Sequence, residues 1–350
     1  MLYNNVVKTG RKTARACHGR ALKGNKGQIM RTISIQKNDA GQRVDKFLSK
    51  AVKGLPVSMM YKLIRTKKIK VNRKRTEQNY ILQEGDEIQL FIREEFFDSP
   101  EKDDSALGRI RPKLNIVYED DQILLLNKRP GVLVHEDTAA SENTLIMHVK
   151  AYLYQKGEYD PEEEQSFAPA LCNRIDRNTG GIVIAAKTAE ALRTVNEKIR
   201  ENQISKFYLC LVHGIPKPEK ATLRAYLRKD SANNVVEVRE KPFPGAKEIL
   251  TGYRVLEKRG ENSLLEVELF TGRTHQIRAQ MAAIGHPLLG DGKYGVNRQE
   301  KQKGYKYQAL YAYRLGFDRT EKENPLSYLE GKTFSLDRSD IWFLNDSSQS

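Results

Sequence analysis

The sequence predicts an α+β protein of two folded modules, the larger built on a mixed, largely antiparallel sheet flanked by helices. Three observations support this. Strand-like apolar stretches outnumber helical ones. Leu265, Val267 and Leu269 alternate with Glu266 and Glu268, the period of a strand covered on one face in an antiparallel sheet. An acidic stretch from Glu94 to Asp104, carrying Pro100, separates a short basic region from a longer one. A chain of 350 residues is long enough for two or three cores. The expected division is a tail over 1–31, a small module over 32–92, a linker over 93–112 and a large module over 113–345.

The tail holds Lys8, Arg11, Lys12, Arg15, Arg20, Lys23, Lys26 and Arg31, and the first acidic residue of the chain is Asp39. Such a segment is expected to be disordered. An organelle-targeting peptide or a basic RNA-binding arm would have this composition. A plain basic tail, or extra sequence upstream of a start at Met30, fits better because little amphipathic periodicity is visible. The whole chain carries a net charge of +15 with a pI near 9.5, which calls for a polyanionic partner, most commonly nucleic acid. No apolar run approaches the roughly 20 residues that span a bilayer, so no membrane is expected. Cys17, Cys172 and Cys210 lie far apart without a CxxC spacing, which argues against a disulfide framework or a zinc site. A cytoplasmic protein with reduced thiols follows.

In the small module Thr32–Ile35 reads as a strand, and apolar residues recur at helical spacing from Val44 to Val52. Ser58 precedes Met59–Arg65, where a serine cap and a mixed apolar and basic face suit a short helix on a phosphate backbone. A short strand at Ile69–Arg73 follows, then a turn at Gly85-Asp86 and a closing strand to Leu90. Arg43, Asp45, Leu48, Ser58, Lys62, Ile64, Val71-Asn72, Leu82, Gly85, Asp86 and Ile88 together resemble the S4 RNA-binding domain. The chain departs from that pattern at Lys67-Lys68, where a glycine usually precedes the strand, and at Arg73, where a glycine often follows the Asn. Both departures add positive charge, and Lys62, Arg65, Lys67, Lys68 and Arg73 are expected to contact phosphates.

In the large module Ile116–Tyr118 and Ile123–Leu126 read as strands joined by an Asp120-Asp121 turn, and Thr144–Gln155 as a helix. An acidic loop spans Glu158–Gln165. Ile182–Ala186 reads as a buried strand, Ala189–Arg200 as a helix and Tyr208–Val212 as a strand. Thr274 can cap a helix with Ile277, Met281 and Ile284 as its apolar stripe, leaving free amides to meet an anion, and Arg278 lies one turn in. Lys128 and Arg129 place two cations at the mouth of a Pro130-Gly131 turn. In Asn173–Ile182 one carboxylate, Asp176, sits between Arg174 and Arg177 ahead of a flexible Gly180-Gly181. Such a run holds a negative charge beside a polyanion or makes an ion pair at a strand end.

Five segments in order resemble the RluA-type pseudouridine synthases, which isomerise uridine in structured RNA: Leu126–His135, Asn173–Ile182, Lys206–Tyr208, Thr271–Gly295 and Gln308–Ala312. The resemblance implies that Asp176 is catalytic, that Arg278 is its basic partner, that Tyr208 contacts the target base and that Leu310 packs on it. It sets Arg273 and His275 near RNA. Arg174 and Arg177 add basic surface expected to meet phosphates, and an isomerisation without redox, hydrolytic or group-transfer step calls for no cofactor and no metal. Asn173 and Tyr311 stand where the family has histidine, Asn178 where it has aspartate and Gly180 where it has serine. An S4 module followed by this domain resembles the RluC and RluD kind, so the expected partner is 23S ribosomal RNA or a ribosome assembly intermediate, met by a monomer. A tRNA enzyme of the same family and a non-catalytic S4-containing RNA-binding protein are the alternatives. Whether Asp176 acts as nucleophile or as base on the sugar stays open.

Overall fold

The computed structural model describes residues 22–24, 28–97, 106–134, 143–230, 235–295, 300 and 304–344. The chain forms two compact units, Met1–Glu101 and Lys102–Ser350.

In chain order the first unit contains β1 (Leu22–Gly24), β2 (Gln28–Ser34), α1 (Val44–Ala51), α2 (Val57–Arg65), β3 (Ile69–Val71), β4 (Lys74–Arg75) and β5 (Glu87–Arg93). The strands form one antiparallel sheet in the order β1-β2-β5-β3-β4. Helix α1 buries Val44, Phe47 and Leu48 and leaves Lys46 and Lys50 in water, so its apolar stripe closes the core against Ile64, Ile69, Ile88 and Leu90. Helix α2 starts at Val57 with Pro56 in the cap position, where a fixed φ of −61° is already extended. Ser58 therefore lies inside the helix rather than capping it.

Two boundaries move. Strands at Leu22–Gly24 and Gln28–Ser34 take up the end of the expected tail, with Gln28 through Ser34 paired to Arg93 through Glu87; residues 1–21 and 25–27 lie outside the described residues. The expected linker loses both ends. Phe96 and Phe97 pack on the first core, while Leu107 is buried in the second unit and the Ile110 carbonyl accepts a bond from Gln155 Nε2 at 2.7 Å. At the two sites where the S4 pattern has glycine, Lys67 (φ 62°) and Arg73 (φ 66°) adopt the left-handed conformation that glycine takes without strain.

The second unit contains α3 (Ala106–Arg109), β6 (Ile116–Glu119), β7 (Ile123–Lys128), α4 (Leu145–Lys156), β8 (Ala170–Leu171), β9 (Gly180–Ala186), α5 (Ala189–Arg200), β10 (Ile204–His213), β11 (Lys220–Asp230), β12 (Val235–Arg239), β13 (Lys247–Arg259), β14 (Asn262–Leu269), α6 (Gln276–Ala283), β15 (Leu310–Phe317) and β16 (Thr333–Ser335). The sheet runs β12-β11-β13-β14-β10-β15-β9-β7-β6, with β16 on β15 and β8 on β9. Among the described residues every pairing between these strands is antiparallel except β9 with β15, so the α+β class stands.

The central strands are buried on both faces, which is why β7 and β9 read as continuous apolar runs. Leu124 and Leu126 face a core closed by Val149 and Leu153 of α4 and Ile277 and Met281 of α6. Ile123 and Leu125 face another, closed by Ala191 and Val195 of α5 with Phe317 and Phe343. The polar side of β14 is also covered: Glu266 is buried and paired with Arg254 and Arg314, not solvated as its alternation suggests. Threonines cap the flanking helices, Thr144 Oγ1 accepting from the Met147 amide at 3.4 Å and Thr188 Oγ1 from the Ala191 amide at 3.1 Å. Among the described residues no helix is long and apolar enough to cross a membrane.

Candidate active site

The loop between β8 and β9 carries Asp176, and three ties hold it. The Thr179 amide donates to the Asp176 carbonyl at 3.0 Å, the Gly131 amide to the Arg177 carbonyl at 2.9 Å, and Gln308 Nε2 to Thr179 Oγ1 at 3.1 Å. Lys128 gives a fourth. Its Nζ is buried and donates to the carbonyls of Arg129 (3.2 Å), Val132 (2.9 Å) and Arg177 (2.8 Å), using all the hydrogens of an ammonium. Burial pulls its pKa down to about 7, against the opposing pull of Asp176. Lys128 is thus a brace for the loop and not a cation at its mouth, as the Pro-Gly turn had suggested.

The Gly180-Gly181 pair is strand, not hinge. Both residues are buried in β9, and β15 runs parallel alongside, with Gly180 opposite Tyr311 and Gly181 opposite Ala312. A Cβ on Gly181 would sit 2.2 Å from the Ala312 carbonyl oxygen, so glycine here allows the close approach that brings Leu310 to the Asp176 loop.

On the facing side α6 presents Arg278, whose Nη1 donates to Asp176 Oδ2 at 2.7 Å. A second carboxylate holds the guanidinium: Arg278 Nε and Nη2 reach Asp291 Oδ2 and Oδ1 at 2.6 and 2.8 Å. Asp291 is fully buried and also accepts from the amides of Lys293 (2.9 Å) and Tyr294 (3.2 Å). Burial alone would raise its pKa, but Arg278 and these amides outweigh that and hold it below the usual carboxylate range. Burial also works against the charge of Arg278, and the two carboxylates reverse it and raise its pKa further. The helix cap differs from expectation. His275, not Thr274, takes the cap position, at φ 54° and with no side-chain cap bond. Ile284 falls after the helix and is exposed.

Asp176, His275 and Arg278 line one cavity of about 1000 Å³, with Asp291 and Lys128 buried outside its lining. Asp176, Tyr208, Arg278, Leu310, Arg174, Arg177, Arg273 and His275, all expected near the chemistry, meet there, brought in from four separate stretches of chain. Tyr208 and Leu310 are buried in the core beneath it, and burial, then Asp176, raises the Tyr208 pKa. Arg174 and Arg273 are exposed, while Arg177 is exposed but turns its Nε to the Gly131 carbonyl. Among the described residues no three His, Cys, Asp or Glu side chains are grouped as a metal requires.

The profile of the family described as RNA pseudouridylate synthase matches residues 122–283, and that of the S4 domain matches 42–88. Ribosomal large subunit pseudouridine synthase C of Vibrio cholerae is 33% identical over 84% of this chain and 90% of its own length. The protein of the same description from Salmonella typhi is 33% identical over 82% of this chain and 88% of its own. An RNA pseudouridine synthase of Mycoplasma genitalium is 32% identical over 84% and 91%. The solved human RNA Pseudouridylate Synthase Domain Containing 1 superposes with a TM-score of 0.48 at 23% identity, covering 61% of this chain and 84% of that one. The chain belongs to the RNA pseudouridine synthases.

Two departures of this synthase from the family pattern are physically one. A Cβ on Gly180 would lie 2.2 Å from the Tyr311 ring, whose hydroxyl donates to Asn127 Oδ1 at 2.8 Å, so tyrosine at 311 requires the missing side chain at 180. A third departure is absorbed locally, since Asn173 Oδ1 accepts from the Ile184 amide at 2.8 Å and sews the loop to β9. The remaining expected RNA contacts, Lys62, Arg65, Lys67, Lys68 and Arg73, lie in the first unit. All are exposed, and Lys62 and Arg65 line a shallow cavity of about 510 Å³ with Tyr61, Arg75 and Asn79.

Sequence reasoning missed Asp291, Tyr294, Gln308 and the buried role of Lys128. Asp291 had a signal, an aspartate framed by Gly290 and Gly292 just after the Arg278 helix. The frame is needed: Gly290 has φ 71°, and a Cβ there would sit 2.2 Å from the Tyr307 carbonyl oxygen.

Proposed function

We propose that this synthase isomerises specific uridines of large-subunit ribosomal RNA, with Asp176 as the group that acts on the sugar. The contact between Asp176 and Arg278 inside a cavity large enough for an extruded nucleotide carries the reading. A target inside folded RNA is first flipped out of its stack, at a cost of a few kcal/mol. Phosphate contacts by Arg174, Arg273 and the basic face of the S4 unit offset that cost. The bond from C1′ to N1 then breaks, the uracil turns, and C1′ joins C5; a proton leaves C5 and one arrives at N1, so nothing is gained or lost overall. Asp176 attacks or deprotonates the sugar, Arg278 orients it through a charge-assisted bond, and Tyr208 and Leu310 pack on the base. Relatives described as large-subunit enzymes and the S4 unit support ribosomal RNA as substrate. The proposal is of a monomer that meets this RNA in the cytoplasm.

Asp176→Asn is expected to abolish isomerisation while RNA affinity changes by less than about tenfold, because phosphate contacts dominate binding. Substantial turnover by that variant would remove Asp176 from the chemistry. Pseudouridine mapping in a deletion strain tests the substrate: sites should be lost from large-subunit RNA, and loss from tRNA alone would overturn the assignment.

A further inference from the structure

His275 combines three features that packing alone does not require. It is a non-glycine residue at φ 54°, ψ 18°. Its side chain is only 10% exposed, yet it lines the reaction cavity. Its two ring nitrogens face different groups: Nδ1 lies 2.8 Å from the Tyr294 hydroxyl, and Nε2 lies 3.9 Å from Asp176 Oδ2.

Hydrogen-bond bookkeeping decides which nitrogen carries the proton. The Tyr294 hydroxyl accepts from the Val236 amide at 3.0 Å, and burial raises its pKa, so it keeps its own hydrogen. Nδ1 is the acceptor within reach of that hydrogen. A ring nitrogen that accepts bears no proton. Burial also lowers the pKa of His275; Arg278 and Lys293 push the same way, while Asp176 and Asp291 oppose them. These four charged groups lie on the β8–β9 loop, α6 and the segment after it, and Arg273 and Lys229 line the same cavity. The imidazole is therefore neutral, with its hydrogen on Nε2, on the side of Asp176.

Arg278 Nη1 already donates to Asp176 Oδ2, the same oxygen that Nε2 approaches. Among the described residues Oδ1 has no partner. We propose that His275 is a positioning residue: Tyr294 fixes it as the Nε2–H tautomer, it locks Asp176 Oδ2 together with Arg278, and Oδ1 is thereby the oxygen presented to the uridine. Closing the gap by about 1 Å gives an ordinary hydrogen bond. A carboxylate gripped at one oxygen by two donors keeps a single orientation when Arg278 is also drawn toward Asp291. The inference rests on the reading of Asp176 as the reacting group, and its structural half can be tested without any activity.

Selective 15N-histidine labelling of the full chain reports the tautomer directly, with the His275 signals assigned by their loss in His275→Gln. Wild type should show a bare Nδ1 and a protonated Nε2, and Tyr294→Phe should show a mixture of tautomers. In single-turnover assays His275→Ala should slow the reaction about tenfold to a hundredfold, the worth of a hydrogen bond to a charged group, with little change in RNA affinity. Two further variants separate donor from backbone. Asparagine is at home in the left-handed region but too short to reach Asp176, whereas the glutamine amide extends about as far as Nε2. His275→Gln should therefore recover more rate than His275→Asn. A protonated Nδ1 in wild type, or His275→Asn recovering as much rate as His275→Gln, would overturn the proposal. If Asp176→Asn were active, the reading of the site would fail instead, whatever the tautomer.

Discussion

Left-handed, non-glycine backbone occurs in both units of this synthase, but it is used differently. In the first unit Lys67 and Arg73 hold it at the ends of short turns, with side chains exposed and no ion pair among the described residues. In the second His275 holds it with a nearly buried ring bonded to Tyr294. The cations follow the same division. Lys62, Arg65, Lys67, Lys68 and Arg73 of the first unit stand in water, where their field reaches a polyanion and is screened by salt. Arg278 and Lys128 are buried and fully occupied by carboxylates or carbonyls. Under the proposed function, free charge of the first kind supplies affinity. Paired charge of the second kind supplies geometry, because an ion already neutralised at short range has little left to offer a distant phosphate.

The largest test of that contrast is Arg278→Ala. It leaves Asp291 buried without its partner, so it should cost about 3–5 kcal/mol of stability as well as most of the activity. Arg278→Lys should recover part of both, since an ammonium restores the charge but not the two-pronged contact. Urea denaturation with single-turnover rates would check this, and an Ala variant of full stability would break the picture of a paired, structural charge.

Neutralising Lys62, Arg65, Lys67, Lys68 and Arg73 together should weaken binding of long RNA by about a hundredfold in moderate salt and flatten the dependence of log K on log salt by roughly 3 to 4 units. Turnover on a saturating short RNA should hold. Within the set, Lys67→Gly and Arg73→Gly should weaken binding yet each stabilise the first unit by up to about 1 kcal/mol, because glycine relieves the left-handed strain. Unchanged affinity and slope would make this face something other than an RNA surface.

The smallest effect concerns packing beneath the site. Gly180→Ser should cost about 1–3 kcal/mol by overlap with the Tyr311 ring. Adding Tyr311→His should return most of it, and thermal melts of the two single variants and the double would measure the coupling. Additive effects would show that the two departures are independent.

Much of the molecule was legible from local pattern. Helix α5 lies where its periodicity predicts, Ala189–Arg200, and the strands at Ile123 and Ile182 follow from unbroken apolar runs. The order of motifs gave the family and placed Asp176 and Arg278 together, 102 residues apart in sequence and 2.7 Å apart in space. Periodicity, turn residues and motif order are properties of neighbours along the chain, so a sequence displays them. What stayed hidden was which partner each polar group finds. Nothing in the run Asn127-Lys128-Arg129 says that Lys128 turns inward onto three carbonyls, one of them in the Asp176 loop, while Arg129 stays exposed. Nothing near Glu266 announces Arg254 and Arg314. Gly180-Gly181 reads as freedom until a parallel strand passes within touching distance and makes it a constraint. The same holds for Asp291 and for the tautomer of His275, because burial and hydrogen-bond choice depend on which distant segments pack together, and only the folded sheet decides that.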